Sequence, residues 1–382
     1  MHARASLAAL SCLLATVAAA DVELRARAFR DCRERVDRAM AHSSVELKLE
    51  HRDVLCEHFA EKIENRLPER AAWQWLDGRI RDVVYAWAPL GARQKPGTVY
   101  RLPYPQWIPR LCSQTSGTET HATPEDYHAY DLLMPIGSEV LAAREGVVAQ
   151  VEDGTPEGLP WEERGDGNAV IVLHKDGTFA AYAHLTPGIP VRAGQNVARG
   201  QAIGRSGNTG FSRTPHLHFV VRVRDREGEV KAIPIRFTMP GRPSFDMEVG
   251  HHHGVVPPSK RTLRLLLDGK PVEDGEKPIP FPYRSEGALR LELVERDGTV
   301  RDVTRHERTR YEPMTPWSLW VPEPGRVSAS VAPGVDDGYI RSTMPTLNQS
   351  EGLLFVYYGV PKDPDFGFAR LTLTIDVPEP GT

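Results

Sequence analysis

The chain has 382 residues, 40% of them hydrophobic and 26% charged, with a formal net charge of −4 at pH 7. That length exceeds one small core and points to two or three domains. The charge balance gives no electrostatic grip on nucleic acid or on an anionic membrane, so partners must be argued from sites.

Residues 1–20 run from Met-His-Ala-Arg into SLAALSCLLATVAAA, a short basic start, an apolar run and a small-residue end. This is the pattern of a secretory signal peptide, with cleavage expected after Ala20. Loss of Arg4 then takes the net charge from −4 to −5. No later segment has the run of about 18 apolar residues that spans a bilayer. An exported chain, acting in the periplasm or outside the cell, is expected. Three cysteines remain, Cys32, Cys56 and Cys112. An oxidising compartment permits one disulfide, expected between Cys32 and Cys56, with Cys112 free or buried.

Residues 21–95 read as a helical segment. Leu55, Phe59, Ile63 and Leu67 recur on one helical face, and Pro68 ends or restarts that helix. Trp73, Leu76, Ile80, Val83, Val84 and Trp87 carry a second apolar stripe. The turn-rich GARQKPGTVYRLPYP follows, and beyond it the period changes. Between 96 and 240, strand-like runs appear at EVLAAREGVVAQVED, NAVIVLHKDG, TFAAYAHL, NVARGQAIG and HLHFVVRV, separated by Gly, Asp, Asn and Pro. Their spacing leaves no room for crossover helices, so the sheet should be antiparallel. Residues 241–260, with His251, His252 and His253, read as a linker, and 261–382 as a β-sandwich-like accessory domain built from runs such as TLRLLLDG and ARLTLTIDV. The expected whole is multidomain and mainly β, with a helical N-terminal segment.

The chemistry concentrates in the middle region. In TPHLHFVVRV, His216 and His218 are two apart, so on a strand both imidazoles share a face while Leu217, Phe219 and Val221 turn to a core. His184 stands at the end of another strand pattern, before the turn-like LTPG. Asp131 sits beside Leu132 and Leu133 and needs a partner if buried. His121 lies ten positions before it. Two imidazoles and one carboxylate suit Zn²⁺ with an open position for water. Such an ion lowers the pKa of that water and polarises a carbonyl. His174 reads as a strand-end packing residue. Gly204, Gly207 and Gly210 mark tight turns rather than a phosphate loop.

The blocks AYDLLMPIGSEVLAAREGVV, GNAVIVLHKDGTFAAYAHL, VRAGQNVARGQAIGRSGNTG and TPHLHFVVR resemble, in order and spacing, the M23 metallopeptidases, the lysostaphin-like or LytM-like endopeptidases. The resemblance covers about a third of the chain. It implies an antiparallel β metallopeptidase domain with one zinc ion, Asp131 and His218 as ligands, and His184 and His216 as catalytic histidines beside the metal. Most members place the first histidine ligand four residues before the aspartate, where this chain has Tyr127. His121 is the chosen ligand, as in members with a longer insertion. His128 is the alternative, although its odd offset of three from Asp131 turns it to the other face of an extended strand. The implied substrate is peptidoglycan, at stem peptides or crosslinks, with the flanking domains engaging the wall or envelope proteins. In the implied mechanism one of His184 and His216 takes or orients a water proton and the other hydrogen-bonds the developing oxyanion. Two competing readings belong to other classes. One is an exported scaffold or regulator of wall hydrolysis that keeps the fold without activity. The other is a carrier-domain hairpin at VRAGQNVARGQAIG, where Ala198-Arg199 stands in place of the modified lysine.

Overall fold

Alternation along His216–Arg224 sets the architecture of the middle region: Leu217, Phe219 and Val221 turn to one side, and His216, His218, Val220 and Arg222 to the other. The computed structural model describes residues 22–37, 49–73, 76, 85–118, 120–160, 165, 167–315, 318–330 and 350–375. In chain order the middle strands are β1 (Val99–Arg101), β2 (Arg110–Gln114), β3 (Tyr130–Leu133), β4 (Glu139–Leu141), β5 (Gly146–Glu152), β6 (Asn168–Leu173) and β7 (Phe179–Leu185). There follow β8 (Asn196–Val197), β9 (Ala202–Arg205), β10 (His216–Arg224), β11 (Val230–Ala232), β12 (Arg236–Met239), β13 (Arg242–Phe245) and β14 (His252–His253). Nine of them form one sheet in the order β14-β2-β3-β10-β7-β6-β5-β8, with β11 paired to β10. Every pairing in it is antiparallel, as the short connections require. Outside it, β1 pairs in parallel with β12, and β4 pairs with β9.

One face of the sheet is covered by the main core, where Leu217, Phe219 and Val221 meet Leu132, Val170, Tyr182 and Phe237. Part of the other face is sealed by Tyr85, Trp87 and Ala88, which pack on Ile171, Phe179, Ala181 and Val220. Cys112 is free and buried in the main core, and burial pushes its thiol far up. Residues 241–260, expected as a linker, instead supply β13 and β14, and β14 closes the sheet edge against β2. His253 is buried there, and its carbonyl accepts a bond from the Tyr104 hydroxyl at 2.8 Å. A two-residue polar strand held through its backbone has no hydrophobic period to announce it.

In the N-terminal segment, α1 (22–37) and α2 (Leu49–Glu64) are joined by a Cys32–Cys56 disulfide around Ala28, Val36, Phe59 and Ala60. The expected signal peptide, and Ile80, Val83 and Val84 of the second stripe, lie outside the described residues. No described helix is long and apolar enough to cross a membrane.

From Arg261 to Ile375 a second set of nine strands surrounds Leu263, Leu265, Leu291, Leu293, Leu371 and Leu373. Two of its pairings are parallel, both to Gly367–Ile375. It docks on the middle region through Trp107 and Ile108 against Tyr357 and Phe366, beside a buried Arg110–Glu312 ion pair at 2.9 Å. The chain is mainly β, with a helical N-terminal segment and a β-rich C-terminal region.

Candidate metal centre

His216 and His218 reach the open face of the sheet by strand parity alone. Across β10, His218 lies opposite Asp131 on β3 and Ala183 on β7, so the carboxylate and the imidazole rise side by side. Residues Gln114 and His184 reach that face only because the ladder breaks beside them.

Along β2, Cys112 pairs with Leu132 and Gln114 with Asp131, so Ser113 is an extra residue. Without that bulge Gln114 would follow Cys112 into the core. With it, Gln114 Nε2 donates to Asp131 Oδ2 at 2.9 Å. Its Oε1 accepts from the hydroxyls of Thr118 and Thr120 at 2.9 and 2.8 Å, which fixes the amide. On β7 the pairs are Ala183–Ala169 and Leu185–Asn168, so His184 is the extra residue, at φ 61°. Tyr182 and Leu185 belong to the core, and the bulge turns the intervening His184 to the open face. Nothing but the strand end in TFAAYAHL signals that turn in the sequence.

His121 comes from the loop between β2 and β3. It is fully covered, with 1% exposure, and its Nδ1–H donates to the Thr115 carbonyl at 2.9 Å. That leaves Nε2 as the edge facing Asp131 Oδ1, at 3.2 Å. His218 Nδ1 meets the same oxygen at 3.0 Å, and His216 Nε2 stands 3.6 Å from it. One donor atom each from His121, Asp131 and His218 lie within 4.8 Å of one another, and so do donors of His184, His216 and His218. His128, the alternative, turns away and meets Ser116 Oγ through Nδ1 at 3.0 Å. Among the described residues it belongs to neither donor group.

Burial and neighbouring charge set the protonation states. Burial, reinforced by His216 and His218, pushes His184 down to about 3. Burial also lowers His216. Both rings are therefore neutral near pH 7. Their Nδ1–H groups are committed to the carbonyls of Thr209 at 2.8 Å and Thr214 at 2.7 Å, so each has its lone pair at Nε2. For Asp131 burial alone would raise the pKa, but His216, His121 and His218 hold it well below the carboxylate range. For His218 burial is outweighed by the bonds to Asp126 and Asp131, which raise it to about 9.

The cluster opens into a cleft of about 720 Å³, lined from the sheet by Ala169, Ile171, Ala181 and Ala183 and flanked by Tyr85 and Phe211. Small side chains on that floor leave room for an extended chain. His121 Nε2 aimed at a carboxylate oxygen calls for a cation or a proton between them, and two imidazoles with a carboxylate are a donor set suited to zinc. Gln114 and Asp126, both bonded to members of the cluster, carry no motif that sequence reasoning could use.

Residues 125–230 match the family model described as peptidase family M23. The chain is 38% identical over 116 residues to the peptidoglycan DD-endopeptidase ShyA of Vibrio cholerae, covering 30% of this chain and 25% of ShyA. It is 35% identical over 112 residues to lysostaphin of Staphylococcus simulans, covering 29% of this chain and 21% of that protein. These matches span a quarter or less of the relatives' own lengths. Among solved structures, a zinc containing peptidase from Vibrio cholerae is 26% identical, covers 36% of this chain and 39% of that one, and has a TM-score of 0.27. By its motifs, its sequence relatives and the family model, the chain carries a peptidase family M23 domain.

Proposed function

We propose that this domain holds one zinc ion between His121, Asp131 and His218 and hydrolyses peptide bonds in bacterial peptidoglycan, at stem peptides or crosslinks. The observation that carries the reading is the convergence of His121 Nε2 and His218 Nδ1 on Asp131 Oδ1, with His184 and His216 beside them. Zinc bound there would supply Lewis-acid polarisation of a carbonyl and acidify water. The chain's own residues do the rest. Asp131 and Gln114 form a fixed anionic wall, since the amide holds one carboxylate oxygen and leaves the other to the histidines. One of His184 and His216, both neutral and with Nε2 unprotonated, accepts the proton that the attacking water loses. The imidazolium so formed hydrogen-bonds the developing oxyanion or returns the proton to the leaving amine as the C–N bond breaks. The cleft offers a peptide a floor in which Ala169, Ala181 and Ala183 leave room beside the cluster.

The relatives named as a peptidoglycan endopeptidase and as lysostaphin support the substrate class, and the signal-peptide pattern supports export to the periplasm or beyond. The same reading divides the exported chain into a helical segment at 21–95, a peptidase domain at 96–240 and a β-rich module at 261–382, with 241–260 attached to the peptidase sheet. The flanking parts position the wall polymer or engage an envelope protein. The test is digestion of purified peptidoglycan by the full chain, with denatured protein as a competing substrate. Release of wall peptides, abolished by a chelator and by Asp131→Ala, is the expected result. Zinc binding without release would favour the inactive scaffold.

A further inference from the structure

Asp126 lies just before β3, where no motif marks it, yet it faces the cluster from behind. Its Oδ1 is 3.1 Å from His218 Nε2, while His218 Nδ1 faces Asp131 at 3.0 Å. The two carboxylates thus take opposite edges of one imidazole. Arg222, four residues along β10 and on the same face as His218, fixes Asp126 in turn. Its Nη2 donates to Asp126 Oδ1 at 2.5 Å, and its Nε donates to the Glu125 carbonyl at 2.7 Å. The Asp126 backbone is held too, donating to Thr123 O at 3.1 Å and accepting from Ala129 N at 2.8 Å. Both side chains are largely covered, Arg222 at 13% exposure and Asp126 at 28%.

We propose that Asp126, held by Arg222, is a positioning residue that keeps the His218 proton on Nε2 and aims the Nδ1 lone pair at the metal. The inference rests on the zinc site proposed above. A carboxylate can only accept, so without a metal both ring nitrogens of His218 donate, Nε2 to Asp126 and Nδ1 to Asp131; when a metal takes the place of the Nδ1 proton, the bond to Asp126 keeps the other proton on Nε2. An acceptor on the far edge of a ligating imidazole fixes its tautomer and orientation and raises its basicity. Such partners are worth a factor of about 10 to 100 in metal affinity. Arg222 belongs to the device because it spans from Glu125 to Asp126 and locks the loop that brings the carboxylate in.

The bland alternative is an ion pair that merely pins this loop to β10. Two double variants separate the ideas. Asp126→Asn with Arg222→Met keeps an acceptor for Nε2–H, whereas Asp126→Ala with Arg222→Met does not, and both abolish the ion pair. Zinc affinity is measured by chelator competition on the full chain, with thermal unfolding as the folding control. The Asn pair should bind zinc at least about tenfold more tightly than the Ala pair at matched melting temperature. Equal affinities would overturn the proposal. A second measurement needs no variant: nitrogen NMR of the imidazoles in the zinc-loaded wild-type chain should show His218 metallated at Nδ1 and protonated at Nε2. The reverse pattern sinks this inference and leaves the zinc site standing, whereas a wild-type chain that binds no zinc removes both.

Discussion

The two nine-stranded sets use the same alternation of apolar and polar residues, yet among the described residues only the first gathers a group of metal-donor side chains. In the C-terminal set, Arg261–Leu267 and Glu286–Val294 pair over six consecutive positions without a break. Leu263, Leu265, Leu291 and Leu293 face inward, while Arg264, Arg290 and Glu292 face outward, where Arg290 meets Glu292 and Asp302. Regular parity leaves its polar groups spread over a solvated face. In the middle sheet, parity delivers His216, His218, Arg222 and Asp131, and two bulges add Gln114 and His184 to the same face. Broken parity gathers polar groups that a regular ladder would hold apart.

The largest effect should come from the groups that parity places: Asp131→Ala and His218→Ala should each lose bound zinc and wall hydrolysis together, read by metal analysis and peptide release. His184→Ala tests what the β7 bulge adds. Turnover should fall by about 10² to 10⁴ while zinc stays bound, since the role proposed for it is proton transfer. Unchanged turnover at full zinc occupancy would remove His184 from the mechanism. Gln114→Ala tests the β2 bulge, and weakening of zinc binding by about 10- to 100-fold is expected from the loss of a partner that orients Asp131.

A pH series sharpens the same comparison without mutation. His218 holds a proton up to about 9 in the zinc-free chain, and zinc must displace it. Apparent affinity should therefore rise about tenfold per pH unit below that value and level off above it. In the zinc-free chain the raised pKa also contributes stability that is fully present below 6.5 and lost as pH rises through about 9. Arg290→Ala, on the regular face of the C-terminal set, should change stability by less than about 0.5 kcal/mol in denaturant unfolding and leave hydrolysis intact.

Much of this is legible in the sequence where a period or a motif carries it. The pair His216 and His218 declares one face because strand parity is two, and Leu217, Phe219 and Val221 declare the opposite core. The antiparallel sheet follows from short connections, and the Cys32–Cys56 bridge from neighbouring helices. Bulges are another matter. At Ser113 and His184 one added residue reverses parity, and no residue type announces it. The choice between His121 and His128 depends on the path of a loop whose turn bonds, such as His121 N to Thr118 O at 2.9 Å, are backbone features. Asp126 and Arg222 are far apart in sequence and meet only when that loop folds over β10. The edge strand β14 is invisible for a related reason, since its pairing needs no side-chain period.

Zinc titration of metal-stripped full chain, with peptide release from purified wall followed at each addition, tests the central claim most directly. Turnover should climb linearly with bound zinc and saturate at about one ion per chain, with His121→Ala flat throughout and His128→Ala following the wild type. Turnover that ignores zinc, or a fully loaded chain that releases nothing, would contradict the account.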